Sequence, residues 1–160
     1  MARILEQVIE LFREKNWAFS KMPGRPVLKT TISNDTATWL FVADVEEEEN
    51  KLAKIKFYSF CPAAVPEDKR AEMAEFLTRV NWRLLIGNFE MDYSDGEIRY
   101  RTAIMLEPDQ ITAAMVKHLA MTNVFLMGRY VSGILSMIYG NVQAEKALAQ
   151  IDQKTEANNK

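Results

Sequence analysis

Three consecutive β-rich runs constrain the fold of this chain more than any other feature of its sequence. β-Branched and aromatic residues dominate residues 27–33, 36–45 and 51–61. Only Asn34 and Asp35 separate the first two runs, and a short acidic stretch separates the second from the third. Runs of this composition, bounded by short polar turns, are typical of neighbouring antiparallel strands. The sequence therefore predicts a three-stranded meander.

Helical patterns flank the predicted meander. Apolar residues in the range 4–12 recur at spacings of three and four, which predicts an amphipathic first helix. Pro66 and Pro108 are each followed by acidic residues, and this combination is typical of helix starts. Asn123 is a candidate N-cap for a further helix over residues 124–139. The chain beyond the meander is thus expected to be largely helical.

The predicted element order is α-β-β-β-α-β-β-α-α, in which the strands come in hairpin groups. That order is typical of an α+β fold, here an antiparallel sheet made of a meander and a hairpin and packed with helices. No repeat or linker divides the 160 residues, so we predict one domain over residues 1–152. The polar residues 153–160 are expected to form a disordered tail.

Charge and cysteine content narrow the classes of function. The chain carries 20 Lys and Arg against 22 Asp and Glu, without the basic surplus of a nucleic-acid-binding domain. Cys61 is the single cysteine, which excludes a disulfide framework within one chain. The most apolar window, residues 124–139, is too short to span a bilayer, and the first residues lack an export-signal pattern. We expect a cytoplasmic protein with no nucleic-acid partner and no membrane span.

The segment 89–101, FEMDYSDGEIRYR, looks more like a chemical site than any other part of the chain. A two-residue type I′ loop at its Asp-Gly dipeptide would place Asp92 opposite Arg99 and Glu90 opposite Arg101. A calcium loop fits poorly, because two of the three positions that should supply oxygen ligands are Met and Tyr. A catalytic carboxylate pair is disfavoured, because each acid faces an arginine. We predict a structural hairpin, with no catalytic residue, metal or cofactor.

Several short motifs resemble the YbjN family of bacterial proteins. They are Asn81-Trp82, the strand from Gly87 to Asp92, the return from Asp95 to Arg101, and Tyr139-Gly140. The resemblance implies a regulatory role in sensory transduction and a fold like that of type III secretion chaperones. Such chaperones are small α+β proteins that commonly dimerise and hold partner polypeptides. The resemblance carries no catalytic residues and leaves the partner open.

One predicted strand is apolar on both faces. Residues 38–44, TWLFVAD, place Trp39 and Phe41 on one side and Leu40 and Val42 on the other. In an antiparallel sheet with one solvent-exposed face, apolar and polar residues alternate along each strand. This strand is apolar on both sides, so we expect another element or molecule to cover its second face. The cover is either a helix of this chain, for which residues 142–151 are the candidate, or a second subunit or partner. The predicted partner interface comprises Leu40, Val42, Val27, Tyr58 and Phe60.

Two hypotheses of function follow from these observations. The first is a non-enzymatic domain that binds a protein partner or a second copy of itself through the apolar second face. The alternative is a small-molecule sensor or an unrecognised hydrolase, with a pocket between the C-terminal helices and the sheet that uses Arg129, Tyr130 or His118. His118 lacks a nucleophile or carboxylate at helical spacing, and Cys61 lacks a nearby partner residue, so both are expected to serve packing.

Overall fold

The computed structural model describes residues 3–48 and 51–158. Within these ranges the strands form a six-stranded antiparallel sheet in the order β1-β2-β3-β4-β6-β5. The helices and strands, in chain order, are α1 (Arg3–Glu14), β1 (Phe19–Lys21), β2 (Val27–Ser33), β3 (Thr38–Glu46), β4 (Ala53–Phe60), α2 (Arg70–Arg83), β5 (Asn88–Met91), β6 (Ile98–Leu106), α3 (Ala113–Gly140) and α4 (Ala144–Asn158).

The predicted α+β class and the predicted meander are confirmed. Strand β1 was not predicted, because its three residues are too few to show a hydrophobic period. The loop between β2 and β3 is longer than the predicted two residues, since Ser33 lies opposite Thr38. The side chain of Asn34 accepts hydrogen bonds from the N–H groups of Thr36 and Ala37, at 2.9 Å each, and stabilises the wider turn. A shift of two residues leaves every side chain on its predicted face.

The helices lie on one face of the sheet, and the core lies between the two layers. Phe12 of α1 packs against Phe41 of β3 with ring centroids 5.9 Å apart, and Phe41 stacks on Phe57 of β4 at 5.7 Å. Tyr130 of α3 meets Phe89 of β5 edge to face at 5.7 Å. These aromatic contacts join three strands to two helices, which makes the fold a two-layer α+β structure.

Helix α3 is continuous through the position where a cap was predicted. Asn123 is fully buried in the middle of α3 rather than at a helix start. Its Nδ2 atom donates to the carbonyl oxygens of Phe57 at 2.9 Å and Tyr100 at 3.1 Å, on β4 and β6. Asparagine is typical of helix N-caps, but its side-chain amide can also bond backbone groups of a neighbouring element inside the core. The sequence alone could not distinguish these two roles of Asn123.

The C-terminal helix corrects two expectations. Helix α4 runs to Asn158, so residues 153–158 are helical rather than a disordered tail; residues 159 and 160 lie outside the described ranges. Helix α4 packs on α3 and α2, so it does not cover the second face of the sheet. A Cβ atom on Gly133 of α3 would lie only 2.5 Å from Cδ1 of Ile151, which shows how closely α4 approaches α3.

The hairpin between β5 and β6 forms, but the predicted register is wrong by two residues. Glu90 lies opposite Arg99, and the loop contains the four residues 93–96 instead of two. The N–H of Asp92 donates to the carbonyl oxygen of Glu97 at 2.9 Å and closes this loop. Within it, the Asp92 carboxylate accepts from the N–H of Ser94 at 2.8 Å and from its hydroxyl at 2.6 Å. These local bonds favour the wider turn over a type I′ loop.

Candidate functional site: the uncovered face of the sheet

The sheet has one face that no helix of the described residues covers, which we call the outer face. Side chains alternate along each strand, so the residues between the core positions point to this face. Its members include Lys29 and Thr31 of β2, Leu40, Val42, Asp44 and Glu46 of β3, Lys54, Lys56, Tyr58 and Phe60 of β4, Glu90 of β5, and Arg99 and Arg101 of β6.

The structure brings four of the five predicted interface residues together at the centre of the outer face. Leu40 lies beside Phe60 across the β3–β4 pair, and Val42 lies beside Tyr58. The rings of Tyr58 and Phe60 are 6.0 Å apart. We call these four residues the apolar centre. Leu40 is its most accessible aliphatic side chain at 38% exposure, whereas Val42 is 8% exposed between its neighbours.

Val27, the fifth predicted residue, lies apart from the apolar centre. It pairs with Asp44 at the start of β2, one step further along the face. Its side chain is buried, so it offers almost no surface to a partner.

A cationic side chain that the sequence analysis did not place there borders the apolar centre. Arg99 of β6 lies over the ring of Tyr58, with its Cζ atom 4.7 Å from the ring centroid. Its Nε also bonds the Glu90 carboxylate at 2.7 Å, and Arg101 reaches the other oxygen of Glu90 at 2.6 Å. The alternation of side chains along β6 predicts that both arginines lie on the same face. Only the strand order β4-β6-β5 shows that they lie next to Tyr58 of β4 on that face.

A second charged group borders the apolar centre further along β3 and β4. Lys56 lies 3.0 Å from the Asp44 carboxylate and also pairs with Glu46, which accepts a further bond from Lys54 at 2.9 Å. Hydrogen bonds from Lys56 and then Lys54 lower the pKa of Glu46 to about 2. In both charged groups beside the apolar centre, the acidic side chains therefore pair with basic side chains of the same group.

Among the described residues, those that could support catalysis do not form a shared site. Burial raises the pKa of the Cys61 thiol to about 11, so the thiol stays protonated at neutral pH. His118 lies exposed on α3 rather than half-buried in packing. Hydrogen bonds from Ser94 lower the pKa of Asp92, which belongs to the hairpin loop. In the residues that the structure describes, no three His, Cys, Asp or Glu side chains converge as metal ligands would.

A separate cavity of about 620 Å³ opens on the helical side of the molecule, and we call it the helix-side cavity. It lies between α3, α4 and the connection from α2 to β5, instead of between the helices and the sheet as the sequence suggested. Arg129 and Tyr130, two of the three residues proposed for such a pocket, line it, whereas His118 does not. Apolar lining comes from Leu84, Leu85, Ile86, Met121, Phe125 and Leu126.

The two arginines of the helix-side cavity differ in their partners. Arg83 bonds the Asp152 carboxylate at 3.0 Å. Arg129 forms no ion pair within the described residues, and its buried Nε atom has no hydrogen-bond partner there. A second cavity of about 510 Å³ shares Phe125 and Arg129 with the first. Arg129 therefore lies where the two cavities meet.

The fold and the outer face define a small two-layer α+β domain with one sheet face that none of the described helices covers. The chain belongs to the YbjN family: a family model described as "Putative bacterial sensory transduction regulator" matches residues 5–122. The match spans the whole sheet and ends one residue before Asn123, so it excludes residues 123–140 of α3 and all of α4. No curated protein matches the chain. Among the described helices, none has the length and apolar character needed to cross a membrane.

Proposed function

We propose that this protein is a non-enzymatic regulatory domain that functions as a homodimer joined through the outer face of its sheet. The observation that carries the proposal is the apolar centre, which lies on a sheet face that the helices leave uncovered. Apolar side chains grouped on an otherwise polar surface are typical of protein interfaces. In this proposal the dimer then binds a protein partner in a chaperone-like manner, as the family resemblance suggests.

A second copy of this chain suits the outer face for a geometric reason. Two sheets can pack face to face, about 10 Å apart, with their inner side chains interdigitated. A two-fold axis through the apolar centre would place Leu40 of one copy against Phe60 or Tyr58 of the other, so that the same surface patch serves both copies.

The charges around the apolar centre are compatible with self-association. The carboxylates of Glu90, Asp44 and Glu46 each contact a cation of the same chain. Each copy would therefore present locally balanced charge, and two copies would meet without strong repulsion. These carboxylates are paired with cations, and the Cys61 thiol is protonated at neutral pH. None of these groups is therefore an activated acid, base or nucleophile of the kind that catalysis needs, which supports the non-enzymatic part of the proposal.

The test is the molar mass of the protein measured by light scattering over a range of concentrations. We expect the wild type to approach twice the chain mass of 18.4 kDa as concentration rises. The Leu40→Asp variant should remain at 18.4 kDa, because it places a charge in the centre of the interface. We choose Leu40 because its partial exposure lets the variant fold, whereas a charge at the buried Val42 would disrupt the monomer.

The matched control is Leu52→Asp. Leu52 is 43% exposed, close to the value for Leu40, but it lies before β4 and outside the apolar centre. This variant should dimerise like the wild type, and circular dichroism should show the same fold for both variants. A wild type that stays monomeric at every concentration, or a Leu40→Asp variant that still dimerises, would refute the proposed interface.

A further inference from the structure

The helix-side cavity has the size and lining of a small-molecule site. Its volume of about 620 Å³ falls within the range of about 300–1,000 Å³ that is typical of ligand pockets. Such pockets are mainly apolar and contain a few polar groups that orient the ligand. The helix-side cavity matches this description, since apolar side chains supply most of its wall and its charged lining residues are Arg83, Arg129 and Asp152.

The apolar wall is unusually open to solvent. Leu85 is 96% exposed and Phe125 is 65% exposed, although both belong to one wall of the cavity. A hydrogen bond from the Tyr100 hydroxyl to the carbonyl oxygen of Ile86 links the connection that carries Leu85 to the sheet. Large apolar side chains grouped at the surface mark interaction sites, and here they line a cavity of ligand size.

The polar side of the cavity provides one cation for a ligand. Asp152 neutralises Arg83, whereas Arg129 has no carboxylate partner within the described residues. Because no carboxylate of the described residues pairs with it, the Arg129 guanidinium at the cavity wall can pair with the carboxylate of a ligand. Arginine also holds a carboxylate through two parallel hydrogen bonds, which are stronger than bonds between neutral groups.

We propose that the helix-side cavity binds a small amphipathic monocarboxylate, with the carboxylate on Arg129 and the hydrocarbon part against Leu85 and Phe125. A single available guanidinium matches one negative charge, whereas it would leave about half of the charge of a dicarboxylate or a phosphate ester without a partner. The neighbouring cavity, which also contacts Arg129 and Phe125, provides space for a longer hydrocarbon chain. This site lies on the helix layer, so it does not depend on the outer face.

The test compares octanoate with 1-octanol, which has the same chain length but no charge, by isothermal titration calorimetry. We expect octanoate to bind the wild-type protein saturably with one site per chain, and 1-octanol to bind more weakly. The Arg129→Gln variant should weaken octanoate binding at least about tenfold, which is the low end for a charge-assisted bond. The affinity for 1-octanol should not change in that variant.

Three further variants control the experiment. Lys146→Gln removes a positive charge from an exposed position of α4 that lines neither cavity, and it should leave octanoate binding unchanged. Arg129→Lys keeps the charge and should keep the preference for octanoate, which separates loss of charge from loss of fold. Phe125→Ser should weaken the binding of octanoate and of 1-octanol alike, because it removes an apolar side chain from the wall of the cavity.

The absence of saturable octanoate binding to the wild type would overturn the proposal. Equal affinity of Arg129→Gln and wild type for octanoate would overturn the role of Arg129. The Leu40→Asp variant should bind octanoate like the wild type, so a failure at this cavity is distinguishable from a failure of the outer-face dimer.

Discussion

The side chain of Asn81 replaces a neighbouring strand at the edge of the sheet. Its Oδ1 atom accepts a hydrogen bond from the N–H of Phe89 at 2.8 Å, and its Nδ2 atom donates to the carbonyl oxygen of Phe89 at 3.0 Å. Asn81 lies near the end of α2, and Phe89 lies in the edge strand β5. One amide therefore satisfies both outward-facing backbone groups of Phe89 and blocks pairing of this edge with another chain.

The Asn81→Ala variant should lose about 1–3 kcal/mol of unfolding free energy, because it leaves two backbone groups of Phe89 without partners. Urea unfolding followed by circular dichroism measures this loss. The Asn81→Asp variant is the matched control: its carboxylate still accepts from the N–H of Phe89 but cannot donate to the carbonyl oxygen. That carboxylate also lies against the carbonyl oxygen of Phe89 and in the last turn of α2, so this variant should lose stability as well, and an Asp variant as stable as the wild type would contradict the bidentate interpretation.

The hairpin loop depends on a glycine that contacts a distant backbone segment. Gly96 has φ +81°, and its carbonyl oxygen accepts a hydrogen bond from the N–H of Val65 at 2.9 Å. A Cβ atom at position 96 would collide with the carbonyl oxygen of Val65. The Gly96→Ala variant therefore adds steric overlap to the cost of positive φ, which is about 1–2 kcal/mol for a residue with a side chain.

Gly24→Ala is the control that separates the two costs. Gly24 has φ +70°, and nothing lies within 4 Å of where its Cβ would be. This variant should show only the conformational cost, whereas Gly96→Ala should lose clearly more unfolding free energy. Equal losses in the two variants, measured by urea unfolding, would show that the contact with Val65 adds nothing.

The sequence predicted the elements of this fold better than their exact pairing. Hydrophobic alternation identified the strands of the meander and the hairpin, and it placed Leu40 and Val42 on the face away from Trp39 and Phe41. Both hairpin registers were wrong by two residues, because the side chains of Asn34 and Asp92 stabilise wider turns than the dipeptides alone suggest. Alternation survives such a shift, so the predicted faces were right although the predicted partners were wrong.

The candidate sites depend on long-range contacts, and these limited what the sequence could predict. The apolar centre was predicted from single strands, but Arg99 beside Tyr58 required the order of β4 and β6. Residues 142–151 were one of the two candidate covers of the second face, but they pack against Gly133 through Ile151. Helical periodicity shows that a segment has an apolar face, but it does not show which surface that face will meet.

Cys61 should react slowly with thiol reagents in the folded protein. Its pKa is raised from an ordinary value near 9 to about 11, mainly by burial. At pH 8 the folded state should therefore contain about one hundredth of the thiolate of the unfolded chain, since each pKa unit is a factor of ten. The rate of reaction with a disulfide reagent, measured in buffer and in urea, tests this. Comparable rates per thiol in the two states would contradict the shift.

The same shift has a consequence for stability at alkaline pH. Because the folded pKa is raised, the contribution of the neutral thiol is fully present below about pH 9 and is lost as pH rises towards about 11. Replacement of Cys61 by Ala should flatten this part of the pH dependence of the melting temperature. A variant with the same alkaline slope as the wild type would assign that slope to other groups.

Asn123 offers the sharpest test of the link between helix α3 and the sheet. It is fully buried, and its amide donates to carbonyl oxygens on both β4 and β6. The Asn123→Ala variant should lose about 2–4 kcal/mol, because it removes these bonds and leaves a cavity. The Asn123→Asp variant should be less stable still at neutral pH, because a buried carboxylate would face those carbonyl oxygens without a donor.

The pH dependence distinguishes these two variants. Burial should raise the pKa of the new carboxyl in the folded state above its unfolded value of about 4. The Asp variant should therefore lose stability relative to the Ala variant as pH rises above about 4, and it should recover at lower pH, where both states carry the neutral acid. Urea unfolding of both variants at pH 3.5 and pH 7 measures the difference. If the two variants differ by the same unfolding free energy at both pH values, position 123 is hydrated in solution. That result would contradict a contact between α3 and the sheet that excludes water.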